Sequence, residues 1–479
     1  MKKTLLIWTA IGFIIGTLFV VSAAAYVLGG LLETWLGSGW AWVSNFLILL
    51  LGFVMIIATV LTLAERKWSA MIQDRVGPNR ARIGLPGLRH SALGGLPHVA
   101  TDALKMLTKE DVRPKNADPL LFNLGPILAF APVLALFAVV PVGPRVNVFG
   151  HTVGLQVANP DFGLLWVFAI ASLAVYGTSL AGWSSNNKFA LLGGVRASSQ
   201  MISYEVALGL GLVGMMLVFT TVRLPELIGS VGPSGIGTAQ AQHLWGGRLD
   251  WLGNLDVGIP AWGIFLQPVG FVCFFAAAFA ETKRAPFDVP EGESEIIGYF
   301  VEYSGMKFGT FMISEFIEVV ILSAITTAIF LGGWHIGFAG DAALSSSAFF
   351  RRAEWGWLLG AIYATIFWIK VLVLCYVQLA IRWTFPRFRY DQIQSLGWKI
   401  LLPMGLANVF LTAALVLLDP SLKSLAILGF VEIAFVLALT LRRKDKPAGV
   451  HGGEAHAPSP AAHGHGPADL PGAAAATHH

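Results

Sequence analysis

The chain has 479 residues, of which 55% are hydrophobic and 13% are charged, and its formal net charge is +4. Because a soluble domain carries about a quarter charged residues, this composition excludes an ordinary soluble domain and indicates a protein of the lipid bilayer. The two cysteines, Cys273 and Cys375, lie far apart in apolar runs and form no CxxC pair. This arrangement argues against an iron–sulfur cluster, a structural zinc site and a c-type haem.

Ten apolar stretches predict transmembrane helices, since about twenty apolar residues cross the hydrocarbon core. The first stretch follows Lys2 and Lys3 but is too long for the apolar part of a signal peptide, so we expect it to be retained. The predicted fold class is therefore an all-α polytopic membrane protein. The stretches cover approximately residues 5–28, 45–63, 122–140, 162–181, 197–222, 262–280, 308–331, 357–381, 400–418 and 425–441.

The distribution of Lys and Arg predicts the orientation, because cytoplasmic loops are enriched in them. With the N-terminus inside, 25 of the 32 basic residues fall on inside segments and six on outside segments. We therefore expect both termini in the cytoplasm. The tail, residues 447–479, is rich in Ala, Gly, Pro and His and has no apolar periodicity. We expect it to be disordered, with weak metal binding by its histidines as the less favoured alternative.

Ionisable residues within the predicted spans are candidate functional residues, because each costs at least about 2.5–3.5 kcal/mol unless it is paired or hydrated. We favour function for Glu205 and Glu315, and a hydrogen bond to a neighbouring helix for Glu432. Glu315 and Glu318 are three residues apart and share a helix face. Two carboxyl groups that close together can hold a proton at neutral pH. The remaining candidates are Lys370, within a span, and Glu281, at the end of one.

A GxGxxG pattern is formed by Gly209, Gly211 and Gly214. A dinucleotide site needs a strand before these glycines and a helix after them. Here the pattern lies in the middle of one apolar helix, so we interpret the glycines as positions of close helix packing.

The longest basic loop, residues 64–118, holds ten Lys and Arg residues. Within it, LPHVATDALKMLTKED places Val99, Ala103, Met106 and Leu107 on one helical face. We expect a short amphipathic helix on the cytoplasmic side, lying in the membrane interface. Such a loop can anchor to anionic lipid or dock a soluble partner, and its composition leaves both alternatives open.

The turn AETKRAPFDVPEGESEIIGYF opposes the basic trend of the inside loops. Between Glu281 and Glu302 lie six acids and two bases, and Pro286 and Pro290 stiffen the backbone. We interpret this turn as a folded element that faces a basic partner or lines a proton-conducting cavity. A solvated surface loop is the alternative.

Four long motifs in this order are similar to one protein family. They are AERKWSAMIQDRVGPNR, ALLGGVRASSQMISYEVALG, AETKRAPFDVPEGESEIIGYFVEYSGMKFG and FPRFRYDQIQSLGWKILLP. Over about residues 42–418, the chain resembles the H subunit family of bacterial NADH:quinone oxidoreductase, respiratory complex I, whose mitochondrial counterpart is the first ND subunit.

The resemblance implies a core of eight spans in the bacterial cytoplasmic (inner) membrane. This core helps to enclose a ubiquinone or menaquinone tunnel where the membrane arm meets the peripheral arm. The implied partners are the peripheral-arm subunits of the quinone site, the other membrane-arm subunits and the lipid bilayer, with no nucleic acid. Quinone is the substrate, flavin and iron–sulfur clusters are expected elsewhere in the complex, and no metal site is expected in this chain.

The resemblance also implies which residues act, and Glu318 matches no family position, so its role stays open. The carboxylates expected to relay protons or charge from the quinone cavity into the membrane are Glu205, Glu281, Glu291, Glu293, Glu295, Glu302 and Glu315. The residues expected at the quinone cavity or at the interface with the peripheral arm are Glu65, Arg66, Asp102, Arg284, Asp288, Arg387 and Arg389.

The expected organisation has four parts: an additional first span with its outside loop (1–41), the eight-span core (42–418), an additional last span (419–446) and the tail (447–479). Two other functions stay open. A homologous membrane subunit serves energy-conserving hydrogenases and formate hydrogenlyase, which use no quinone. A stand-alone ion-coupled transporter is the less favoured alternative, because inverted repeats are frequent in that class and no clear repeat is present here.

Overall fold

The computed structural model describes residues 2–37, 40–81, 95–230, 238–249, 255–290, 292, 298–338, 340–341, 344 and 356–442. The chain divides into two compact units, Met1–Ile433 and Ala434–His479. Of the second unit, only the end of the last helix, residues 434–442, is described.

The described part of the chain consists mainly of helices, with two short antiparallel hairpins. The helix α2 contains a π-helical segment over Phe46–Val54, and α12 contains one over Leu396–Leu401. In chain order the elements are α1 (Lys2–Leu36), α2 (Ala41–Ile72), α3 (Leu96–Thr108), α4 (Pro119–Phe137), β1 (Val146–Val148), β2 (His151–Val153), α5 (Gly163–Ser184), α6 (Lys188–Phe219), α7 (Leu224–Ile228), β3 (His243–Leu249), β4 (Leu255–Pro260), α8 (Gly263–Leu266), α9 (Pro268–Glu281), α10 (Gly305–Phe330), α11 (Gly356–Thr384), α12 (Tyr390–Leu418) and α13 (Lys423–Arg442).

Eight helices within the described residues are long and apolar enough to cross a membrane, namely α1, α2, α4, α5, α6, α10, α11 and α12. The predicted class, an all-α multi-pass membrane protein, is therefore confirmed. Helix α13 covers the tenth predicted stretch, and α3 covers the predicted amphipathic segment. That α13 crosses the membrane and that α3 lies in the interface remain predictions.

The predicted span over residues 262–280 is wrong as a single helix, because the chain breaks at Gln267 between α8 and α9. Pro268 supplies no backbone N–H and disfavours helical geometry in the residue before it, and Gln267 has φ −144° and ψ 68°. The remaining helix, α9, has 14 residues, or about 21 Å at 1.5 Å per residue. It is thus shorter than the hydrocarbon core, which is about 30 Å thick.

The predicted start of the fifth span at residue 197 is also wrong. Helix α6 begins at Lys188, where the side chain of Asn187 accepts a hydrogen bond of 2.9 Å from the backbone N–H of Phe189. The two basic residues of 182–196, Lys188 and Arg196, thus both lie on α6 rather than in a loop. As a result, Glu205 lies about five turns from the start of its helix instead of two.

The core of the bundle is α10, which is almost wholly buried and contacts α2, α3, α4, α9 and α11. Apolar residues occur on every face of this helix, as expected for a helix that is surrounded by others. Ile317, Ile321 and Ile325 are fully buried within it. The same helix carries Glu315 and Glu318, both almost fully buried, so two carboxyl groups lie on the most enclosed element of the fold.

Glycines allow the closest helix contacts. A Cβ atom at Gly214 would lie 2.3 Å from Oε1 of Gln267, and one at Gly211 would lie 3.0 Å from the backbone nitrogen of Phe274. The interpretation of the GxGxxG pattern as packing thus agrees with the contacts of α6 against the break before α9 and against α9 itself. Similarly, α4 and α5 cross at Gly177, where an added Cβ would lie 2.4 Å from the backbone nitrogen of Ala129.

The loops gather at two ends of the bundle. At one end, which we call the basic end, α3 and the segments after α2, α9 and α11 contact one another. There Arg284 binds Glu65, and the backbone N–H of Phe388 donates to the carbonyl of Pro286. The opposite end carries the β1–β2 hairpin and the loop after α10, whose His335 contacts the carbonyl of Gly229.

Replacing Gly177 by Ala should destabilise the protein by about 1–3 kcal/mol, because the new methyl group meets the backbone of Ala129 and the two helices must move apart. The measurement is the thermal unfolding of the chain within the purified membrane assembly. Gly52→Ala is the matched control, since a Cβ at Gly52 meets nothing within 4 Å. Equal shifts for the two variants would contradict this account of the α4–α5 crossing.

Candidate functional site

The predicted site residues fall into three groups. Five of them, Glu65, Arg284, Asp288, Glu315 and Arg387, take part in ion pairs at the basic end that are wholly or partly buried. A second group lies at the surface or makes contacts outside these ion pairs. Glu291, Glu293 and Glu295 lie outside the described residues, so their predicted role stays a prediction.

Arg284 is the centre of the site. Its Nη1 donates to Oε2 of Glu65 at 2.6 Å, and its Nη2 lies 3.9 Å from Oε2 of Glu315. The guanidinium carbon lies 3.8 Å from the centroid of the Phe316 ring, a cation–π contact. The side chain of Arg284 is 6% exposed and that of Glu315 only 3%. Since a buried charge is stable only with compensating partners, these contacts are what keep Arg284 within the bundle.

Glu65 extends the network towards α11, because its Oε1 lies 2.5 Å from Nη1 of Arg382. Glu65 thus holds two guanidinium groups, one from the turn after α9 and one from α11. Arg382 is not among the predicted site residues, because along the chain it is only one of the basic residues that indicate the orientation of the protein.

Lys283 and Glu318 form a second buried pair beside the first. Nζ of Lys283 lies 3.7 Å from Oε2 of Glu318, and both side chains are 6% exposed. Lys283 has φ +56°, a left-handed conformation that costs a non-glycine residue about 1–2 kcal/mol. Glu315 and Glu318 share a face of α10 as predicted, but each of them has a cation of its own.

Glu281 is the last residue of α9 and is buried, with Glu318, Glu205 and Lys283 as its charged neighbours. Gln200 of α6 fixes this region, because its amide donates to the carbonyls of Ala280 at 2.7 Å and Phe287 at 2.8 Å. The end of α9 and the turn after it are therefore held against α6, the helix that carries Glu205.

Asp288 lies further along the same turn and binds Nη2 of Arg387 at 2.6 Å. Burial raises the pKa of Asp288 to about 6, although the Arg387 guanidinium acts in the opposite direction. Its Oδ1 is buried and has no hydrogen-bond partner among the described residues. The pKa of Asp288 therefore lies above that of an ordinary aspartate, with burial as the main cause.

Four further predicted positions lie away from Arg284. Glu302 accepts a hydrogen bond of 2.7 Å from Asn187 and lines a separate cavity of about 490 Å³. Arg66 and Asp102 form a pair at 2.5 Å that joins α2 to α3 at the surface. Arg389, the residue before α12, lies in an exposed setting, where its backbone N–H donates to Oε1 of Gln392 at 3.0 Å.

A cavity of about 590 Å³ opens at the basic end between α2, α3 and the end of α11. Its wall includes Glu65, Val76, His98 and Trp383, so it borders the buried network at Glu65. A larger cavity, about 840 Å³, lies at the opposite end, lined among others by Arg145. The smaller cavity is the relevant one, because its wall includes Glu65, which pairs with the buried Arg284.

Two candidates from the sequence have structural contacts instead. Nζ of Lys370 donates to the carbonyls of Leu331 at 2.6 Å, Gly333 at 3.0 Å and His335 at 2.6 Å, and these bonds secure the end of α10. Glu432 accepts a hydrogen bond from the backbone of Val269 at the start of α9. This contact agrees with the interpretation of Glu432 as a helix-packing residue.

The fold and the site define a multi-pass membrane protein with a network of paired charges inside its helix bundle. A family model described as NADH dehydrogenase matches residues 44–413. Similar relatives include the H subunit of the NADH-quinone oxidoreductase of Flavobacterium psychrophilum, which is 39% identical over 76% of this chain and 94% of the relative. One H subunit of the same enzyme from Cytophaga hutchinsonii is 38% identical over 76% of this chain and 93% of the relative.

A third relative, the H subunit from Bdellovibrio bacteriovorus, is 39% identical over 77% of this chain and 95% of the relative. The chain therefore belongs to the family of NADH-quinone oxidoreductase H subunits. The family match begins after α1 and ends before α13.

Replacing Arg284 by Met should destabilise the chain by about 3–5 kcal/mol, because it leaves Glu315 buried without its cation. The matched control is Arg66→Met, which removes an exposed pair with Asp102 and should cost about 1 kcal/mol or less. Thermal unfolding of the chain in the purified assembly measures both effects. If the two variants lost equal stability, the Arg284 contacts would not be what holds the site together.

Proposed function

We propose that this chain is the membrane subunit of a proton-pumping NADH:quinone oxidoreductase that encloses the quinone entry path and couples quinone reduction to proton translocation. The observation that carries the proposal is the series of contacts from the cavity wall at Glu65, through Arg284, to Glu315 on the buried helix α10. These contacts connect a cavity that can hold a substrate with charged side chains inside the membrane-crossing bundle.

The quinone enters, in this proposal, through the cavity of about 590 Å³ at the basic end. This cavity combines apolar walls, such as Val76 and Trp383, with the polar groups of Glu65, Arg66 and His98. Clefts that bind small molecules commonly combine apolar walls with a few polar groups. An apolar quinone tail and a polar head group match this combination.

Charge passes from the quinone to the carboxylates of the bundle. When the quinone is reduced, the change in charge acts on the acidic turn, where Glu291, Glu293 and Glu295 are proposed to respond together with Asp288 and Glu302. Glu281, Glu205 and Glu315 then carry the change into the membrane as shifts in protonation. Electrostatic coupling is strong between them because burial lowers the local dielectric constant.

The basic end faces the cytoplasm in this proposal, in the bacterial inner membrane, and docks the peripheral arm. Cytoplasmic segments of membrane proteins are enriched in Lys and Arg. The segments after α2, α9 and α11 carry such residues and lie at this end, which supports this orientation. Arg66, Asp102 and Arg389 are proposed to contact the quinone-site subunits of that arm. Flavin and iron–sulfur clusters are proposed to belong to those partner subunits.

The two alternatives from the sequence are less well supported. The three relatives are named as quinone oxidoreductase subunits, which favours a quinone-linked complex over a hydrogenase. Partner genes for a flavin subunit or for a nickel–iron subunit would separate these two. Activity of the isolated chain without partners would support the transporter.

Filling the cavity tests the entry path. Val76→Trp should raise the KM for a short-chain quinone about tenfold, because Val76 lines the cavity and is itself 77% exposed, so the indole enters the cavity without disturbing the core. Val112→Trp is the control, at a position that is 57% exposed and does not line the cavity. An unchanged KM in the Val76 variant of the purified complex would reject this entry path.

Neutralising the relay tests the coupling. Glu281→Gln and Glu205→Gln should each lower proton translocation at least about tenfold, because an amide cannot bind and release a proton, while the complex assembles normally. Proton uptake into proteoliposomes per quinone reduced is the measurement. Glu432→Gln is the control, since Glu432 lies on the additional helix α13 and bonds a backbone group of α9. Full translocation by both relay variants would overturn the proposal.

A further inference from the structure

The pair formed by Lys283 and Glu318 has no role in the proposed relay. It nevertheless lies between the two parts of that relay, since Lys283 belongs to the turn after α9 and Glu318 to α10. Glu281 is two residues before Lys283, and Glu315 is one helical turn before Glu318. The pair is therefore in a position to join the carboxylate of α9 to those of α10.

Positive and negative side chains alternate along this part of the bundle. Glu281 has Lys283 and Glu318 among its charged neighbours, and Glu318 has Lys283, Glu315 and Arg284 among its own. Arg284 in turn forms an ion pair with Glu65. Lys283 and Glu318 thus form a charged link between Glu281 and the ion pairs of Arg284.

Burial makes the charges of this pair depend on each other. Both side chains are 6% exposed, and an ion in such a setting requires a counter-ion close by. If Glu318 takes up a proton, the attraction between Lys283 and Glu318, 3.7 Å apart, weakens, and the attraction of Lys283 to Glu281 becomes relatively stronger. If Glu281 takes up a proton instead, Lys283 is attracted to Glu318. One ammonium group thus serves two carboxylates, and only one of them needs to be ionised at a time.

We propose that Glu318 is a further proton-carrying residue of the relay, and that Lys283 is the positioning cation that it shares with Glu281. The step moves one proton between the carboxyl oxygens of Glu281 and Glu318, with no transfer of electrons. This inference rests on the proposed function, and it extends that function to two residues that the resemblance to the family did not assign.

A purely structural pair would have a different purpose, namely to hold the turn after α9 against α10. The contact of Lys283 in the turn with Glu318 on α10 fits both roles. The roles differ in what happens when both charges are removed together. A structural pair can be replaced by two neutral side chains, whereas a proton carrier cannot.

The test uses the purified complex in proteoliposomes, with the variants Glu318→Gln, Lys283→Met, Lys283→Arg and the double variant Lys283→Met/Glu318→Gln. Each neutral single variant should lower proton translocation at least fivefold. The double variant should regain part of the thermal stability that the single variants lose, because the charges of Lys283 and Glu318 are removed together and Glu281 can stay neutral by holding a proton, but its translocation should stay at least fivefold low. Lys283→Arg keeps the positive charge and should translocate within twofold of the unaltered complex.

A spectroscopic measurement separates proton binding from packing. Reduction of the quinone should produce a carboxyl C=O band in the infrared difference spectrum that Glu318→Gln lacks and that Glu432→Gln retains. Normal translocation by the double variant, or an unchanged infrared spectrum in Glu318→Gln, would overturn the inference. If Glu281→Gln and Glu205→Gln lose translocation while the double variant keeps it, only this inference fails. If those two relay variants also translocate normally, the proposed function itself fails.

Discussion

The contact of Arg284 with Glu65 and Glu315 is the interaction on which the rest of the site depends. A guanidinium group cannot be neutralised in a protein, so placing it inside a helix bundle obliges the fold to supply carboxylates around it. Helix α2 supplies one and α10 the other. The turn after α9 is thereby tied to two membrane-crossing helices, and the cavity beside Glu65 is joined to the buried interior.

This constraint also explains why the site lies where it does. Helix α10 is the most enclosed element, and apolar residues such as Ile317 exclude water from it. Charges that face such a helix interact strongly because little solvent screens them. The two cations after α9, Lys283 and Arg284, are adjacent in sequence yet serve different carboxylates. Because these two pairs are adjacent and buried, the charge of one acts on the other through little solvent.

Much of the architecture could be predicted from the sequence, because apolar stretches of about twenty residues and the positions of Lys and Arg follow directly from bilayer physics. The break at Gln267 could have been recognised from Pro268, but the continuous apolar composition around it obscured the signal. The start of α6 was missed because Lys188 and Arg196 indicated a loop. Both are cases in which local backbone chemistry outweighed hydropathy.

The candidate site was predicted less completely. The resemblance supplied Glu65, Arg284 and Glu315, but Glu65 and Arg284 are 219 residues apart, and a single sequence does not state which cation meets which carboxylate. For the same reason the partnership of Lys283 with Glu318 and the contact of Arg382 with Glu65 were not foreseen. Pairings of this kind depend on three-dimensional packing, which spacing along one chain does not contain.

The three carbonyl bonds of Lys370 have a mechanical consequence for α10. They hold the segment directly after that helix, at the end remote from the cavity, to α11. Sliding of α10 along its axis would stretch or break these bonds, whereas a tilt about that pivot leaves them largely intact. Such a tilt is smallest at Leu331 and grows along the helix towards Glu318 and Glu315, where a small angular change alters the distances between carboxylates and cations most.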